Sequence, residues 1–255
     1  MLLSAQKNNP SLIFPFHEDS SSTLNGIIEE LEGVSCDIMV VDDCSVPPYE
    51  TNSDRVSVIR LDGRLGKGSA IMSAVNIILR ETSVTSNHFI VTADSDGQHP
   101  AEDIRKALEL CDSLNDQNLI ISGSRDFSNG VDPAPLSSRI GRVVSSALIQ
   151  LETGVKVYDT QNGLRIYPLD FFRRFEIKST GFGFETETLV LALRNGYKLN
   201  TFSSSTIYLS GRKSRFSKIK DSVKIIVLHI RIMAEILFLS LRGRLSTLFQ
   251  SERKI

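Results

Sequence analysis

The sequence has few of the features that mark disulfide-bonded, zinc-binding or nucleic-acid-binding proteins. Its three cysteines, Cys36, Cys44 and Cys111, are spaced irregularly and match neither a disulfide framework nor a zinc site. With 29 basic and 30 acidic residues, the formal net charge is −1, so electrostatics give no reason to expect nucleic acid as a partner. Hydrophobic residues make up 41% of the chain, which is ordinary for a soluble globular protein and sufficient for a sizeable core.

The amino terminus also lacks the features of a signal peptide. The first ten residues, MLLSAQKNNP, contain neither a basic region nor a long apolar run, so we expect a cytoplasmic protein. No segment before about residue 215 has the composition of a linker. We therefore predict one large domain over residues 1–217 and an appended tail over residues 218–255.

Short apolar segments alternate with helical patterns along the first half of the chain. Strands are predicted at 11–14, 37–41, 56–61, 89–91 and, later, 118–122. Helices are predicted around 24–31 and 65–80, and in the second half at about 137–151 and 181–195. This β-α-β alternation predicts an α/β fold with a parallel sheet covered by helices.

Acidic residues follow three of the predicted strands. They are Glu18 and Asp19, Asp42 and Asp43, and Asp94 and Asp96 in the segment TADSDGQHP. Ligands of such sheets bind beyond the carboxyl ends of the strands. Two carboxylates at the end of a buried strand repel each other, and a divalent cation with oxygen ligands would relieve that repulsion. The pattern therefore predicts a metal-dependent site at this edge of the sheet.

Basic residues that could hold a phosphate group occur in two other segments. Lys67 lies between Gly66 and Gly68 at the start of a predicted helix, where the helix terminus favours an anion. In isolation, this loop is equally well explained as a helix cap with a solvated lysine. Arg125 and Arg139 flank a loop rich in proline and glycine, and guanidinium groups suit phosphate oxygens.

Taken together, these segments resemble family 2 glycosyltransferases of the GT-A fold. The likeness is greatest to the dolichyl- or polyprenyl-phosphate sugar synthase branch, and it extends from about Ser11 to Asp221. It rests on segments that occur in the family's order, namely PFHE (15–18), VVDDCS (40–45), LGKG (65–68), DSDGQHP (94–100), GSR (123–125), TQNGLR (160–165), GFETE (183–187) and IYLSG (207–211). The implied fold has a Rossmann-like, mostly parallel central sheet flanked by helices.

The resemblance also implies roles for individual residues. The metal, Mg²⁺ or Mn²⁺, would be held against the donor diphosphate by Asp94, Asp96 and Gln98. The residues implied at the nucleotide are Pro15, Phe16, Glu18, Asp42, Asp43, Lys67 and Asp94. Those implied at acceptor or phosphate groups are Arg125, Arg139 and Arg215, and the catalytic residues are Asp96 and the acceptor-side acid Glu187.

Two segments depart from the family's usual pattern. The first strand ends in Pro15-Phe16-His17-Glu18, where relatives have Pro-x-Tyr-Asn-Glu, which affects the expected nucleoside contacts. Near the end of the likeness, Ser214-Arg215-Phe216 stands where relatives often have Ser-His-Phe. An arginine there could still bind an anionic acceptor. His99 is interpreted as a loop residue before a proline and not as a metal ligand.

The tail predicts an amphipathic helix from about 218 to 244. Five of its charged residues fall within a sector of about 60° on a helix, namely Lys220, Lys224, Arg231, Glu235 and Arg242. A membrane-spanning helix would not carry such a stripe, whereas a helix lying at a membrane surface would. The alternative is a helix packed on the catalytic domain or on a second subunit, as in a homodimer.

The expected activity is inverting transfer of a sugar from a UDP- or GDP-linked donor to a polyprenyl phosphate at the cytosolic face of a membrane. An alternative acceptor is a saccharide hydroxyl in cell-surface polysaccharide synthesis, which would require a carboxylate such as Glu187 as general base. Two other classes of protein remain open. One is a nucleotidyltransferase, which would release pyrophosphate, and the other is a non-catalytic module that binds nucleotide sugars.

Overall fold

The computed structural model describes residues 9–82, 87–125, 136–205, 223 and 225–234, with only the backbone described at 136–138. These residues contain seven strands, namely β1 (Ser11–Phe16), β2 (Asp37–Asp42), β3 (Val56–Arg60), β4 (Phe89–Thr92), β5 (Leu119–Arg125), β6 (Arg165–Pro168) and β7 (Lys198–Ser204). The helices described with them are α1 (Ser21–Glu30), α2 (Lys67–Glu81), α3 (Ala101–Ser113), α4 (Leu136–Thr153), α5 (Leu169–Arg174) and α6 (Phe184–Arg194).

The seven strands form one sheet in the order β3-β2-β1-β4-β6-β5-β7. Strands β1 to β4 pair in parallel, and β5 pairs in parallel with β7. Strand β6 is antiparallel to both of its neighbours, β4 and β5. The predicted α/β class with a mostly parallel sheet is therefore confirmed. Because β1, β2 and β4 run in the same direction, their carboxyl ends meet at one edge of the sheet.

Helices cover both faces of the sheet, and this explains why β1, β2 and β4 consist mainly of apolar residues. Leu12 and Phe14 of β1 face a core cluster that includes α1 and α3, whereas Ile13 between them faces the cluster that includes α2 and α5. Successive side chains of a strand point to opposite faces, so burial of both faces requires an unbroken apolar run. Edge strand β3 is only half-buried, in keeping with its weaker apolar pattern.

All five predicted strands and all four helices predicted before residue 217 are present, with ends shifted by a few residues. The prediction did not include α3, α5, β6 or β7. Strand β6 has only four residues and begins with a buried arginine, and β7 is mainly polar and half-exposed. Neither strand therefore has the apolar pattern by which a strand is recognised.

Residues 225–234 of the predicted tail helix are helical and pack on the domain. Leu228 and Ile232 join a small core cluster with Ile149 of α4 and Leu189 of α6. Other side chains of this segment are exposed, namely Ile226, Val227 and Ile230, and so is Val223 just before it. The segment thus buries one face against α4 and α6 and presents a second apolar face outward. Among the described helices, none combines the length and hydropathy needed to cross a bilayer.

Buried His88 makes the stability of the fold dependent on pH. Its Nε2 is hydrogen-bonded to Ser11 Oγ at 3.0 Å, and burial together with nearby Arg173 lowers its pKa from 6.5 to about 4. Between these values the unfolded chain binds a proton that the folded protein does not, so folding weakens as pH falls. Across this window we expect His88 to account for a loss of about 3 kcal/mol of unfolding free energy.

Urea unfolding of the wild type and of His88→Gln between pH 7 and pH 4 tests this expectation. The wild type should lose stability more steeply than the variant as pH falls, because only the wild type carries the titrating imidazole. Equal pH dependence in both proteins would contradict the assignment.

Candidate functional site

The turn that follows β4 is fastened to the end of β1. Ser95 Oγ lies 2.7 Å from the carbonyl oxygen of Pro15 and 2.6 Å from Asp19 Oδ2, so one buried hydroxyl joins the two segments. Phe16 ends β1 as a buried residue whose ring lies 4.9 Å from that of Tyr49. The segment Pro15–Asp19 and the acidic turn at 94–96 are therefore brought together, as the sequence predicted for strand ends at one edge.

Asp42 organises the loop that follows β2. Its carboxylate accepts hydrogen bonds from the backbone N–H groups of Ser45 and Tyr49, at 2.8 and 3.1 Å, and from the guanidinium of Arg60. Burial alone would raise the pKa of Asp42, but these donors together hold it below its usual value. The carboxylate is engaged by protein groups, so Asp42 holds the loop that follows β2 in place.

Asp43 connects the end of β2 to the glycine-containing loop. Its two carboxylate oxygens accept hydrogen bonds from the N–H groups of Leu65 and Gly66, at 2.6 and 2.8 Å. The Asp43 carbonyl accepts a hydrogen bond from His17 Nδ1 at 2.9 Å. Glu18 has a positive φ of 50°, and its N–H donates to Ser45 Oγ at 3.0 Å. Asp43 thereby fixes the loop that carries Lys67.

The two glycines of this loop allow a close approach to another part of the protein. Gly66 has a φ of 96°, and a Cβ on it would lie 2.6 Å from the carbonyl oxygen of Thr180. A Cβ on Gly68 would collide with the carbonyl of Ser179. The N–H of Ser69 donates to Thr180 O at 3.1 Å. Glycine is therefore required here for packing of the 179–180 backbone against the start of α2.

Lys67 points into the protein and lies between two carboxylates. Its Nζ is 2.5 Å from Asp94 Oδ1 and 2.5 Å from Glu185 Oε1. Burial alone would lower the pKa of Lys67, but the two carboxylates raise it above its usual value. Burial likewise acts to raise the pKa of Asp94, and Lys67 and His99 hold it well below its usual range. Lys67 is thus a mostly buried ion-pair partner of Asp94 and Glu185 and is not a solvated cap.

Gly163 makes room for the Asp94 carboxylate. A Cβ at this position would lie 2.5 Å from Asp94 Oδ2 and 2.8 Å from Oδ1. The Gly163 carbonyl accepts a hydrogen bond from Thr92 Oγ1 at 2.8 Å, which fixes the glycine beside the end of β4. His99 is also buried beside this carboxylate, with Nε2 3.5 Å from Asp94 Oδ2. The Asp94 side chain nevertheless stays 31% exposed and can meet a ligand.

Asp96 and Gln98 lie in a tight turn just beyond Asp94. The N–H of Gln98 donates to Asp96 Oδ1 at 3.0 Å, and Gly97 between them has a φ of 80°. Among the described residues, no three His, Cys, Asp or Glu side chains are grouped so as to hold a metal ion. Two partly exposed carboxylates still fit Mg²⁺ or Mn²⁺, because such ions are commonly held by one or two carboxylates and completed by substrate phosphates and water.

Arg125 is held in a defined orientation at the end of β5. Its Nε and Nη2 donate to the two oxygens of buried Asp159, at 2.7 and 2.6 Å. Burial acts to raise the pKa of Asp159, but the guanidinium keeps it below its usual value. Arg139 is an exposed residue of α4. Arg215, the third predicted acceptor residue, lies outside the described residues.

Glu187 is buried in the first turn of α6, and both its oxygens are engaged. Oε2 accepts hydrogen bonds from the N–H groups of Lys178 and Ser179, at 3.0 and 2.6 Å. Oε1 accepts one from Arg231 Nη2 of the 225–234 helix, at 2.9 Å. In this arrangement Glu187 joins α6, the 178–179 segment and the tail helix, and Arg231 of the predicted cationic stripe faces a protein carboxylate.

The sequence profile of the family described as Glycosyl transferase family 2 matches residues 11–177. The chain belongs to glycosyltransferase family 2. The matched region contains the whole carboxyl edge from Pro15 to Gly163, and the family's enzymatic class makes the chain a glycosyltransferase.

Two curated proteins resemble this glycosyltransferase over most of its length. An uncharacterised protein of Methanocaldococcus jannaschii is 27% identical over 193 residues, which cover 74% of this chain and 77% of that protein. The UDP-N-acetylglucosamine–dolichyl-phosphate N-acetylglucosaminyltransferase of Methanococcus voltae is 26% identical over 178 residues, which cover 67% of each chain.

Solved structures share the fold at low sequence identity. Glucosyl-3-phosphoglycerate synthase of Mycobacterium tuberculosis, in complex with Mn²⁺, UDP-glucose and phosphoglyceric acid, superposes with a TM-score of 0.61 at 16% identity, over 89% of this chain and 80% of that one. Mannosyl-3-phosphoglycerate synthase of Rubrobacter xylanophilus gives 0.59 at 14% identity, over 92% and 75%. The GT-A fold predicted for this glycosyltransferase is thereby confirmed.

Three residues of the site were not predicted from the sequence, namely Glu185, Gly163 and Asp159. The first two lie in segments that carry the family resemblance, GFETE and TQNGLR. Glu185 and Glu187 both fall in the first turn of α6, and no spacing rule distinguishes which of them reaches Lys67. Asp159 lies outside those segments and is recognised only by its contact with Arg125.

Proposed function

We propose that this glycosyltransferase transfers a sugar, with inversion, from a nucleotide sugar to a polyprenyl phosphate in a reaction that depends on Mg²⁺ or Mn²⁺. The observation that carries the proposal is the 26% identity, over 67% of each chain, to an enzyme named for a dolichyl-phosphate acceptor. Membership of a glycosyltransferase family argues against a nucleotidyltransferase. A glycosyltransferase transfers the sugar and releases a nucleoside diphosphate, whereas a nucleotidyltransferase releases pyrophosphate.

The donor half of the proposal rests on the carboxyl edge of the sheet. Asp94 and Asp96 would hold the metal ion, with Gln98 beside them, and Pro15, Phe16, Glu18 and Asp43 would border the nucleoside. When bound, the metal ion neutralises the negative charge that develops on the departing nucleoside diphosphate. Lys67 adds a fixed positive charge next to Asp94. The complexes of the mycobacterial synthase with Mn²⁺ and UDP-glucose support this kind of donor.

The proposal of a phosphate acceptor is supported by the fact that a phosphate nucleophile needs no strong general base. A phosphate monoester is already ionised near neutral pH, so it attacks without a strong general base, whereas a sugar hydroxyl requires one. The best-placed candidate base from the sequence, Glu187, accepts hydrogen bonds from two N–H groups and Arg231. Arg125, oriented by Asp159, suits a phosphate oxygen better than a neutral hydroxyl.

A matrix of donors and acceptors tests the proposal. UDP- and GDP-linked sugars are supplied with Mn²⁺ or Mg²⁺ to the purified protein, together with a short polyprenyl phosphate, a saccharide or 3-phosphoglycerate. Formation of a lipid-linked sugar from one donor is the expected result. Transfer only to the saccharide or to phosphoglycerate would overturn the acceptor assignment. Donor binding without turnover on any acceptor would favour a binding module.

We further propose that the enzyme works as a peripheral protein at the cytoplasmic face of a membrane. The exposed apolar face of the 225–234 helix, which includes Val227 and Ile230, would be buried among the lipids. We expect Val227→Asp/Ile230→Asp to lower partition onto anionic liposomes by about tenfold or more, because each buried aliphatic side chain contributes about 1.5 kcal/mol. Co-sedimentation with anionic liposomes measures this partition.

Substitutions are preferable to deletion here, because Leu228 and Ile232 of the same helix belong to the core. Val58→Asp on edge strand β3 is the control for a single introduced charge, since it places an aspartate at another exposed valine. It should leave liposome binding unchanged. Equal co-sedimentation of the double variant and the wild type would show that the exposed face serves another role, such as dimerisation, which sedimentation velocity would detect.

A further inference from the structure

Glu185 is a buried carboxylate whose presence the proposed reaction has not yet explained. Its residue is 3% exposed, and within the described part of the chain its Oε2 has no hydrogen-bond partner. The positive charge that balances the Glu185 carboxylate is the Lys67 ammonium, which lies 2.5 Å from Oε1. A buried carboxylate that has one lysine as its partner and one oxygen without a hydrogen bond is costly to bury, so its presence calls for a specific reason.

The position of Glu185 is fixed by its backbone. Its carbonyl accepts a hydrogen bond from Nη1 of the fully buried Arg165, at 2.6 Å. The adjacent Thr186 Oγ1 accepts one from Gln161 Nε2 at 2.7 Å. Because Glu185 lies in the first turn of α6, the helix dipole also favours its negative charge. The carboxylate is therefore held at a set distance from the start of α2, where Lys67 lies.

Lys67, Asp94 and Glu185 together carry one positive and two negative charges, which leaves one excess negative charge beside the predicted metal site. Asp94 is the partly exposed carboxylate of the pair, with 31% of its side chain accessible, whereas the Glu185 side chain is 3% accessible. A ligand can thus reach Asp94 but not Glu185. Asp94 is therefore the carboxylate available to a cation, and Glu185 is the carboxylate that remains paired with Lys67.

We propose that Glu185 is a positioning residue for donor binding, which keeps the Lys67 ammonium in place while Asp94 turns to a metal–nucleoside diphosphate complex. This inference rests on the proposed function and adds to it a residue and a role. Without Glu185, Lys67 has Asp94 as its remaining carboxylate partner, so a metal ion must compete with the ammonium for that carboxylate. Metal-dependent nucleotide binding should then weaken, whereas metal-independent binding should change little.

The test uses Glu185→Gln, Lys67→Met and the double variant in the full-length protein, with UDP and GDP as probes. Isothermal titration calorimetry gives the Kd of each nucleotide with and without Mn²⁺. Glu185→Gln should raise the Kd measured with Mn²⁺ by about tenfold or more, the range seen for residues that support metal ligands. In the Lys67→Met background the same substitution should have no further effect, because Glu185 acts through the lysine.

Two controls accompany the titrations. Glu102→Gln removes the same charge from an exposed position in α3 and should leave every Kd unchanged. Urea unfolding of the ligand-free proteins reports whether Lys67 and Glu185 interact at all, and the effects of the two single variants should be non-additive. If Glu185→Gln does not fold, Glu185→Asp retains the charge on a shorter side chain and should show a smaller rise in Kd.

Additive unfolding effects would overturn the inference, and so would an unchanged Kd in Glu185→Gln or an equal rise in both lysine backgrounds. It is also overturned if the wild type binds neither nucleotide with Mn²⁺. A failure of the proposed function has a different signature. In that case the binding pattern holds as expected, but the wild type transfers no sugar to a polyprenyl phosphate.

Discussion

Replacing Asp96 by asparagine is expected to lower sugar transfer by more than about 100-fold, since even supporting residues of metal sites affect metal affinity by 10- to 100-fold. The fold should survive because an asparagine Oδ1 can still accept the hydrogen bond that Gln98 N–H donates to Asp96 Oδ1 at 3.0 Å. What the substitution removes is the negative charge that a divalent ion requires. Initial rates over a range of Mn²⁺ concentrations measure the loss.

Asp112→Asn is the matched control, because Asp112 is an exposed aspartate of α3 outside the site. It should keep wild-type activity, and both variants should unfold at the wild-type urea midpoint. Excess chelator should reduce the wild type to the level of Asp96→Asn. Full activity in chelator would show that transfer does not depend on a metal and would remove the role assigned to Asp94 and Asp96.

Replacing Gly163 by alanine should reduce transfer by about 100-fold, the effect expected when a reacting group is displaced by about 1 Å. A single methyl group at this position would come within 2.5 to 2.8 Å of the Asp94 carboxylate. Asp94 would have to move, together with its contact to Lys67. Overpacking of this kind also destabilises a protein, typically by ~1–3 kcal/mol.

Gly26→Ala in α1 is the control for adding a methyl group to a glycine, because a Cβ there would meet no atom within 4 Å. That variant should be fully active and slightly more stable, because alanine favours a helix over glycine. Gly163→Ala should instead show a raised KM for the donor at temperatures where it is fully folded. Wild-type kinetics for Gly163→Ala would mean that the Asp94 carboxylate does not need its observed position.

The sequence determined the α/β class and indicated the edge of the sheet at which the candidate site lies. Strands β1, β2 and β4 are unbroken apolar runs because both faces of the sheet are buried, and such runs are visible without a structure. Parallel strands joined through helices then bring Pro15, Asp43 and Asp94 to the same edge. The ordered family segments identified the glycosyltransferase, and the matched region confirms it.

Tertiary structure decided the partners of each charged residue. Glycine and lysine in the segment LGKG are compatible with a phosphate cradle or a helix cap. Only the tertiary structure shows that Gly66 and Gly68 pack against residues 179–180 and that Lys67 lies beside Asp94. Glu185 and Glu187 are two residues apart on one helical turn, yet one meets Lys67 and the other Arg231. Such contacts join residues distant in sequence, and no local pattern encodes them.

The same reason explains the elements that sequence patterns did not reveal. Strand β6 is recognisable only through its antiparallel pairing with β4 and β5, and β7 through its pairing with β5. The amphipathic tail pattern was compatible with both a membrane and a protein surface. Burial of Leu228 and Ile232 shows that one face of that helix packs on the core. The periodicity of a sequence predicts that a helix has an apolar face, but it does not show what covers that face.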